Sequence, residues 1–221
     1  MRTAVGRRAS PKLRWRIAEW PAHPNQLLAL SFESAGFGAD NRSLEPRLAL
    51  LERRSGALAR VAEGRIDLRE PRCANDSGGP DDERAPDFRL DLGLYGISKS
   101  SAALGVRFSC FHSATTEDGS AEFLYLLEPV DTQLRQVLEA RLAFTHYVRP
   151  TFTETTGVGT LSIVQEQSKN GYFDLVLRMA VTVQTSDPQL HPDAPASGKH
   201  EETQRFSWNG SLYRPQTSSH H

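Results

Sequence analysis

Two Asn-Gly pairs near the end of the chain constrain its fold more than any other feature. Asn170-Gly171 precedes the apolar run 172–178, and Asn209-Gly210 lies inside the run 206–213. Both residue types tolerate the positive φ that a type I′ turn requires. An Asn-Gly pair between apolar runs is also the strongest short-range signal for a hairpin. The sequence therefore predicts that the last third of the chain is β and contains two tight turns.

Alternation of apolar and polar residues extends this prediction over most of the chain. A period of two residues is typical of strands with one buried face, whereas helical spacing is weak almost throughout. The segments with strand character are 13–20, 27–32, 48–52, 57–61, 88–92 and 103–111. The sequence thus predicts an all-β fold, in which antiparallel β-meander units form a sandwich or propeller-blade-like packed sheets with at most one short helix.

One stretch of the sequence allows a helix. The hairpin pattern at 48–61 recurs at 124–137, which predicts related meander units, although coincidence among hairpins would give the same pattern. Within residues 132–143 the apolar positions also fit a spacing of 3.6 residues. We therefore weigh a strand against a short amphipathic helix for this segment.

The length of 221 residues favours a single domain. We place a β domain at 13–215, after a disordered lead-in at 1–12 and before a tail or tag remnant at 216–221. Long polar loops interrupt the domain at 71–87 and 186–202, and neither loop has enough apolar residues to order itself well. Loops of this length are either binding elements or mobile insertions.

Charge and cysteine content limit the partners and the compartment. A formal net charge of -1 predicts no nucleic-acid partner. No window approaches the roughly 18 apolar residues of a membrane-spanning helix, so we expect no transmembrane segment. The two cysteines, Cys73 and Cys110, form either one disulfide in an oxidising compartment or two free thiols.

The motifs that would carry catalysis or metal binding are weak. Asp81-Asp82-Glu83 offers oxygen ligands for calcium without the spacing of a calcium loop, so a solvated acidic loop is favoured. Cys110 and His112 share a strand face, but a structural zinc site needs four ligands. The sequence lacks a Gly-x-Ser-x-Gly motif and a phosphate loop. We predict no metal, no cofactor, no catalytic residue and no enzymatic activity.

Several segments resemble a known family. Residues 160–163, 170–172, 174–177 and 206–213 are similar to the closing unit of bacterial periplasmic β-proteins related to the invertebrate-type lysozyme inhibitors. Residues 90–97 resemble the middle of such proteins. In those relatives the turn before the Gly-Tyr/Phe-x-Asp-Leu segment often resembles a calcium loop. Here polar residues stand where acidic ligands are expected, and Asp174 is the only carboxylate retained, so we expect no calcium.

The resemblance implies an exported, periplasmic bacterial protein that binds and blocks an antibacterial effector enzyme, either a cell-wall hydrolase or another secreted toxin. Immunity proteins against toxins of secretion systems belong to this class. A cytoplasmic location is the alternative. We expect a protein partner, and the expected contact residues are Asn170, Gly171, Tyr172, Asp81, Asp82 and Glu83.

A second class of function remains open from the sequence. The protein could be a cell-envelope carbohydrate-binding module, or an envelope enzyme, that uses exposed aromatic side chains. The candidates are Trp15, Trp20, Tyr172 and Trp208. Aromatic residues at such positions also serve as core or cross-strand packing in a sheet.

Overall fold

The computed structural model describes residues 12–34, 46–68, 87–113, 115–186 and 193–216. These residues form strands and turns, and they include no helix, so the predicted all-β class is confirmed. None of the described segments is therefore a helix long and apolar enough to cross a membrane. The strands are β1 (Lys12–Glu19), β2 (Gln26–Ser34), β3 (Arg47–Arg54), β4 (Ala57–Arg65), β5 (Asp87–Gly96), β6 (Ala102–Ser113), β7 (Glu117–Val130), β8 (Gln133–Val148), β9 (Thr153–Lys169), β10 (Tyr172–Thr185), β11 (Gly198–Trp208) and β12 (Tyr213–Pro215).

The strands form three antiparallel meanders that pack in layers. The meanders are β1–β4, β5–β8 and β9–β12. Strand β8 joins them, because it pairs in parallel with β4 at Glu63 and Gln133, and antiparallel with β9 from Ala143 to Val148. Since β7 occupies the other side of β8, β4 and β9 share one edge of this strand.

Two hydrophobic cores fill the space between the layers. Strand β7 contributes to both: Tyr125 and Leu127 belong to the core shared with β2, β3 and β4, whereas Leu124 and Leu126 belong to the core shared with β10, β11 and β12. These four side chains are at most 1% exposed. Burial of both faces explains why this part of the sequence is continuously apolar.

The alternative prediction of a short helix at residues 132–143 is wrong, because residues from Gln133 onward belong to strand β8. A bulge in β8 opposite Leu126 and Leu127 adds one residue, so that Val137 and Leu138 both enter the second core. Leu134, before the bulge, lies in the first core. The extra residue shifts the alternation of the strand by one position, and this shift produces the apparent helical spacing.

The long polar loops are only partly described. Residues 69–86 lie outside the described ranges, and Asp87 begins β5. The predicted loop over 186–202 is too long, because β11 begins at Gly198 and pairs with β10. The side chains from Gly198 to Gln204 are all exposed, so this part of β11 has no apolar alternation to reveal it. The predicted lead-in and tail fall almost entirely outside the described residues.

Candidate functional site

Four chain reversals meet at one end of the molecule, which we call the turn cluster. They are residues 97–101 between β5 and β6, 131–132 between β7 and β8, 170–171 between β9 and β10, and 209–212 between β11 and β12. Ser98 forms a β-bridge with Tyr172, and the Phe173 amide donates to the Ile97 carbonyl at 2.9 Å. The Tyr213 hydroxyl donates to the Phe173 carbonyl at 2.9 Å, so three of the four reversals are bonded to one another through their own or their flanking residues.

The Asn170-Gly171 turn has the predicted geometry. Lys169 pairs with Tyr172, which leaves two residues in the turn, and their φ values are 53° and 82°. Positive φ at both positions defines type I′. Asn170 and Gly171 are exposed, whereas Tyr172 is half-buried at the base of the hairpin.

The second Asn-Gly pair forms a different turn. Trp208 pairs with Tyr213, so the connection has four residues, and of the pair only Gly210 has positive φ. The Asn209 side-chain oxygen accepts hydrogen bonds from the backbone amides of Ser211 and Leu212, each at 3.0 Å. The predicted hairpin is present, but the Asn side chain, rather than a left-handed Asn backbone, closes it.

A buried carboxylate holds the base of the turn cluster together. Glu128 is 3% exposed. It accepts hydrogen bonds from the Tyr172 hydroxyl at 2.8 Å, from the Ser101 hydroxyl at 2.8 Å and from Arg135 Nη2 at 2.6 Å. These donors come from three of the four reversals or their flanking strands. A buried carboxylate is tolerated when it is paired and hydrogen-bonded in this way.

Aromatic rings extend this base. The rings of Tyr172 and Trp208 stack with centroids 4.0 Å apart, and Tyr213 meets Trp208 edge-on at 5.4 Å. Arg135 lies 5.3 Å from the Trp208 ring centroid, over its face. Burial is the main cause that raises the pKa of Tyr172 above its ordinary value, and the hydrogen bond to Glu128 raises this pKa further. Its phenol therefore stays protonated and keeps donating to Glu128 at neutral pH.

The sequence did not single out Glu128 or Arg135. Glu128 follows Leu124 and Leu126 at a spacing of two residues, which places it on the same buried face of β7. A charged residue that continues a buried apolar face is the signal that could have revealed it. The other predicted contact residues, Asp81, Asp82 and Glu83, lie outside the described residues and remain a prediction.

Those residues considered as metal ligands that the structure describes do not form a site. Cys110 is disulfide-bonded, so its sulfur is not a thiolate ligand beside His112. The other cysteine, Cys73, lies outside the described residues. Asp174 is buried where the pairing of β10 with β9 shifts register, because β9 has extra residues between Val164 and Ser168. Among the described residues, no three His, Cys, Asp or Glu side chains are grouped so that they could hold a metal ion.

The aromatic residues of the alternative function differ in exposure. Trp20 is 5% and Trp208 is 3% exposed, so these indoles are part of the two cores. Trp15 is 54% exposed on β1, between the exposed side chains of Leu13 and Ile17. A sugar-binding platform needs accessible ring faces, and Trp20 and Trp208 do not offer them.

A cleft of about 940 Å³ opens beside β8. Its walls are residues of β8 on one side and of β11 and β12 on the other, and Leu177 and Met179 of β10 lie at its floor. The rim is polar and carries both charges, including Arg141, Glu202 and Arg214. The cleft is thus a concave feature, and Leu212 of the turn cluster is part of its lining.

A network of charged residues lies elsewhere, on β5, β6 and β7. Arg107 donates to Asp91 at 2.5 Å and to Glu122 at 2.7 Å, and Arg89 is also paired with Glu122. Burial alone would raise the pKa of Asp91, but hydrogen bonds from the Gly93 amide and Arg107 hold it below its ordinary value. The ionised form of Asp91 is therefore stabilised by folding.

This network predicts a specific dependence of stability on pH. Because the pKa of Asp91 is lower in the folded chain, its contribution is complete above about pH 4 and is lost as the pH falls through the folded-state value. We expect Asp91→Asn to lower the free energy of unfolding at pH 7 by roughly 1 kcal/mol and to flatten its fall on acidification. Urea unfolding at pH 7 and in acid measures both effects. Asp87→Asn, in a more exposed ion pair with Arg16, is the control, and equal curves for the two variants would contradict the prediction.

Comparison with known proteins gives no relative. No protein-family model matches the chain, no curated protein matches it, and no solved structure matches it.

Proposed function

We propose that this chain is an exported bacterial binding protein that blocks an antibacterial effector enzyme, and that the turn cluster contacts the enzyme. The observation that carries the proposal is the two-residue type I′ turn at Asn170-Gly171 on its buried base. Exposed turn residues stand on strands that are fixed by Glu128, Tyr172 and Trp208. A surface that is already ordered loses little conformational entropy on binding, so its contacts contribute more fully to affinity.

The side chains at the tips suit protein recognition. The exposed residues of the four reversals are mostly small or polar: Lys99, Ser100, Asp131, Thr132, Asn170, Gly171, Asn209, Gly210 and Ser211. Ser, Gly and Asn supply adaptable hydrogen bonds in antibody binding loops, where rigid aromatic residues act as anchors. The turn cluster has both kinds of residue, with Tyr172 half-buried beneath the tips.

The disulfide at Cys110 supports the periplasmic location. Disulfides form and persist in oxidising compartments, of which the bacterial periplasm is one. The resemblance of residues 160–213 to periplasmic lysozyme inhibitors supports the same location and the same class of target.

Capture of a partner tests this function. The full chain is used as bait in an envelope extract of the source organism, bound proteins are identified by mass spectrometry, and the activity of the captured enzyme is titrated with the chain. We expect a stoichiometric complex and inhibition that saturates at equal amounts. Capture without inhibition, or binding to polysaccharide instead of protein, would exclude the proposed role.

A pair of turn variants locates the contact. Asn170→Asp keeps a residue that accepts the left-handed conformation but adds a negative charge at the tip. Ser55→Asp makes the corresponding change in the Ser55-Gly56 turn between β3 and β4, where both φ values are also positive. We expect Asn170→Asp to weaken capture about tenfold, which is roughly 1.4 kcal/mol, while Ser55→Asp has little effect. Equal capture by the two variants would place the contact elsewhere.

A further inference from the structure

Strand β5 carries a bulge that exposes two leucines. In the ladder with β6, β5 has three residues, 92–94, between successive pairs where β6 has only one, and we call these three residues the β5 bulge. Leu92 and Leu94 are 43% and 67% exposed, whereas Phe88 and Leu90 of the same strand pack in the first core. A bulge changes the direction of side chains locally, and here it leaves two large apolar side chains in solvent.

Neighbouring side chains hold the β5 bulge in one shape. The Gly93 amide donates to Asp91 Oδ1 at 2.9 Å, and Asp91 Oδ2 accepts from Arg107 Nε at 2.5 Å. The Tyr95 ring lies against the backbone, because a Cβ at Gly93 or at Gly105 would come within 2.9 Å of it. Single exposed apolar side chains are ordinary on a protein surface, but these two stand together on a segment that is fixed by specific contacts.

The β5 bulge lies beside the turn cluster. The carbonyl of Ile97, three residues after Leu94, accepts hydrogen bonds from the Phe173 amide at 2.9 Å and from the Tyr213 hydroxyl at 3.3 Å. A strand advances about 3.3 Å per residue, so Leu94 and Ile97 are about 10 Å apart along the chain. An interface that buries about 800 Å² on each partner has a radius of about 16 Å if it is circular. One interface of this size is wide enough to cover both the 97–101 reversal and the bulge.

The two leucines provide the apolar surface that the tips of the turn cluster lack. The exposed residues of the four reversals are mostly small or polar, and Tyr172 is half-buried beneath them. Val130, just before the 131–132 reversal, adds a smaller exposed apolar side chain. The fully buried centre of a protein interface is more apolar than its polar rim. Leu92 and Leu94 are suited to that centre, and the polar tips are suited to the rim.

We propose that Leu92 and Leu94 are the apolar anchor of the interface at the turn cluster, and that the partner enzyme receives them in an apolar pocket on its surface. This inference rests on the proposed inhibitory function, because it assigns a second contact with the same partner. It also restricts the partner to a protein whose apolar pocket adjoins groups that hydrogen-bond to the polar tips.

Binding of matched leucine variants tests this anchor. The probe is the enzyme that the full chain captures from the envelope extract, which is purified and titrated with the wild-type chain and each variant. Leu58→Ala is the control, since Leu58 is 55% exposed on β4. We expect Leu94→Ala to raise the Kd about tenfold, Leu92→Ala, with less surface to bury, to raise it about threefold, and Leu58→Ala to leave it unchanged.

The outcomes distinguish failure of the anchor from failure of the inhibitory function. If the wild-type chain captures no enzyme, both proposals are refuted. If the captured enzyme binds Leu94→Ala as tightly as Leu58→Ala, the anchor alone is refuted, because the complex itself still forms. Sedimentation velocity of the chain alone gives a further check. A dimer that Leu94→Ala dissociates would assign the β5 bulge to a second copy and would also refute the anchor.

Discussion

Gly64→Ala is expected to lower the free energy of unfolding by about 3 kcal/mol, at the upper end of the cost of overpacking a core. A Cβ at this position would overlap the carbonyl oxygen of Leu134 and approach the Leu134 Cβ to 2.8 Å. Both obstacles belong to β8 near its bridge with β4. The backbones of β4 and β8 cannot move apart here without opening the junction between the β1–β4 and β5–β8 meanders.

Gly96→Ala is the matched control for this prediction. Gly96 also lies in a strand and has no positive φ, and a Cβ there would meet nothing within 4 Å. We expect this variant to be neutral or slightly stabilising, because alanine restricts the unfolded chain more than glycine does. Urea unfolding followed by tryptophan fluorescence compares the two variants. A similar effect of both substitutions would mean that the β4–β8 contact yields to an added methyl group.

Local sequence signals predicted the strands well because their information lies in neighbouring residues. The alternation over β1 and the turn chemistry at Asn170-Gly171 both depend on residues adjacent in sequence. The layer arrangement could not be predicted in this way. It depends on β4 and β9 sharing one edge of β8, and β4 reaches that edge through a single bridged pair.

The errors in the sequence prediction arise where tertiary contacts override the local pattern. The bulge at Val137 changes the face of the β8 residues that follow it as far as Leu142, where a second bulge changes it again, and the sequence carries no local sign of either bulge. The beginning of β11 has exposed side chains on both faces, so only its pairing with β10 defines it as a strand.

The sequence predicted the exposed turn of the candidate site but not the buried residues beneath it. Asn170 and Gly171 were found from turn chemistry, and Tyr172 was found as their neighbour. Glu128 contacts Tyr172 across 44 positions of the sequence, and a contact at that separation depends on how the meanders pack. The exposed tip could therefore be inferred from local residues, whereas the base that holds it could not.

Glu128→Ala is expected to destabilise the fold by about 3 kcal/mol and to loosen the turn cluster. The substitution removes the acceptor of the Tyr172 and Ser101 hydroxyls and the partner of Arg135, and it leaves a cavity at a position that is 3% exposed. We expect amide exchange at Tyr172 and Phe173 to become faster, because their hairpin loses its contact with β7. Urea unfolding and hydrogen exchange measure the two effects.

Glu128→Gln and Glu63→Ala separate the possible causes of this loss. Glutamine keeps the side-chain shape and one acceptor oxygen but not the charge that pairs with Arg135, so it should have an intermediate effect. Glu63 forms an ion pair with Arg60 in which its side chain is 58% exposed, and its removal should cost less than about 0.5 kcal/mol. If Glu128→Ala cost no more than Glu63→Ala, the buried carboxylate would not be what holds the turn cluster rigid. The stacked aromatic rings alone would then have to hold the turn cluster in place. The proposed inhibitory contact would depend on those rings and not on Glu128.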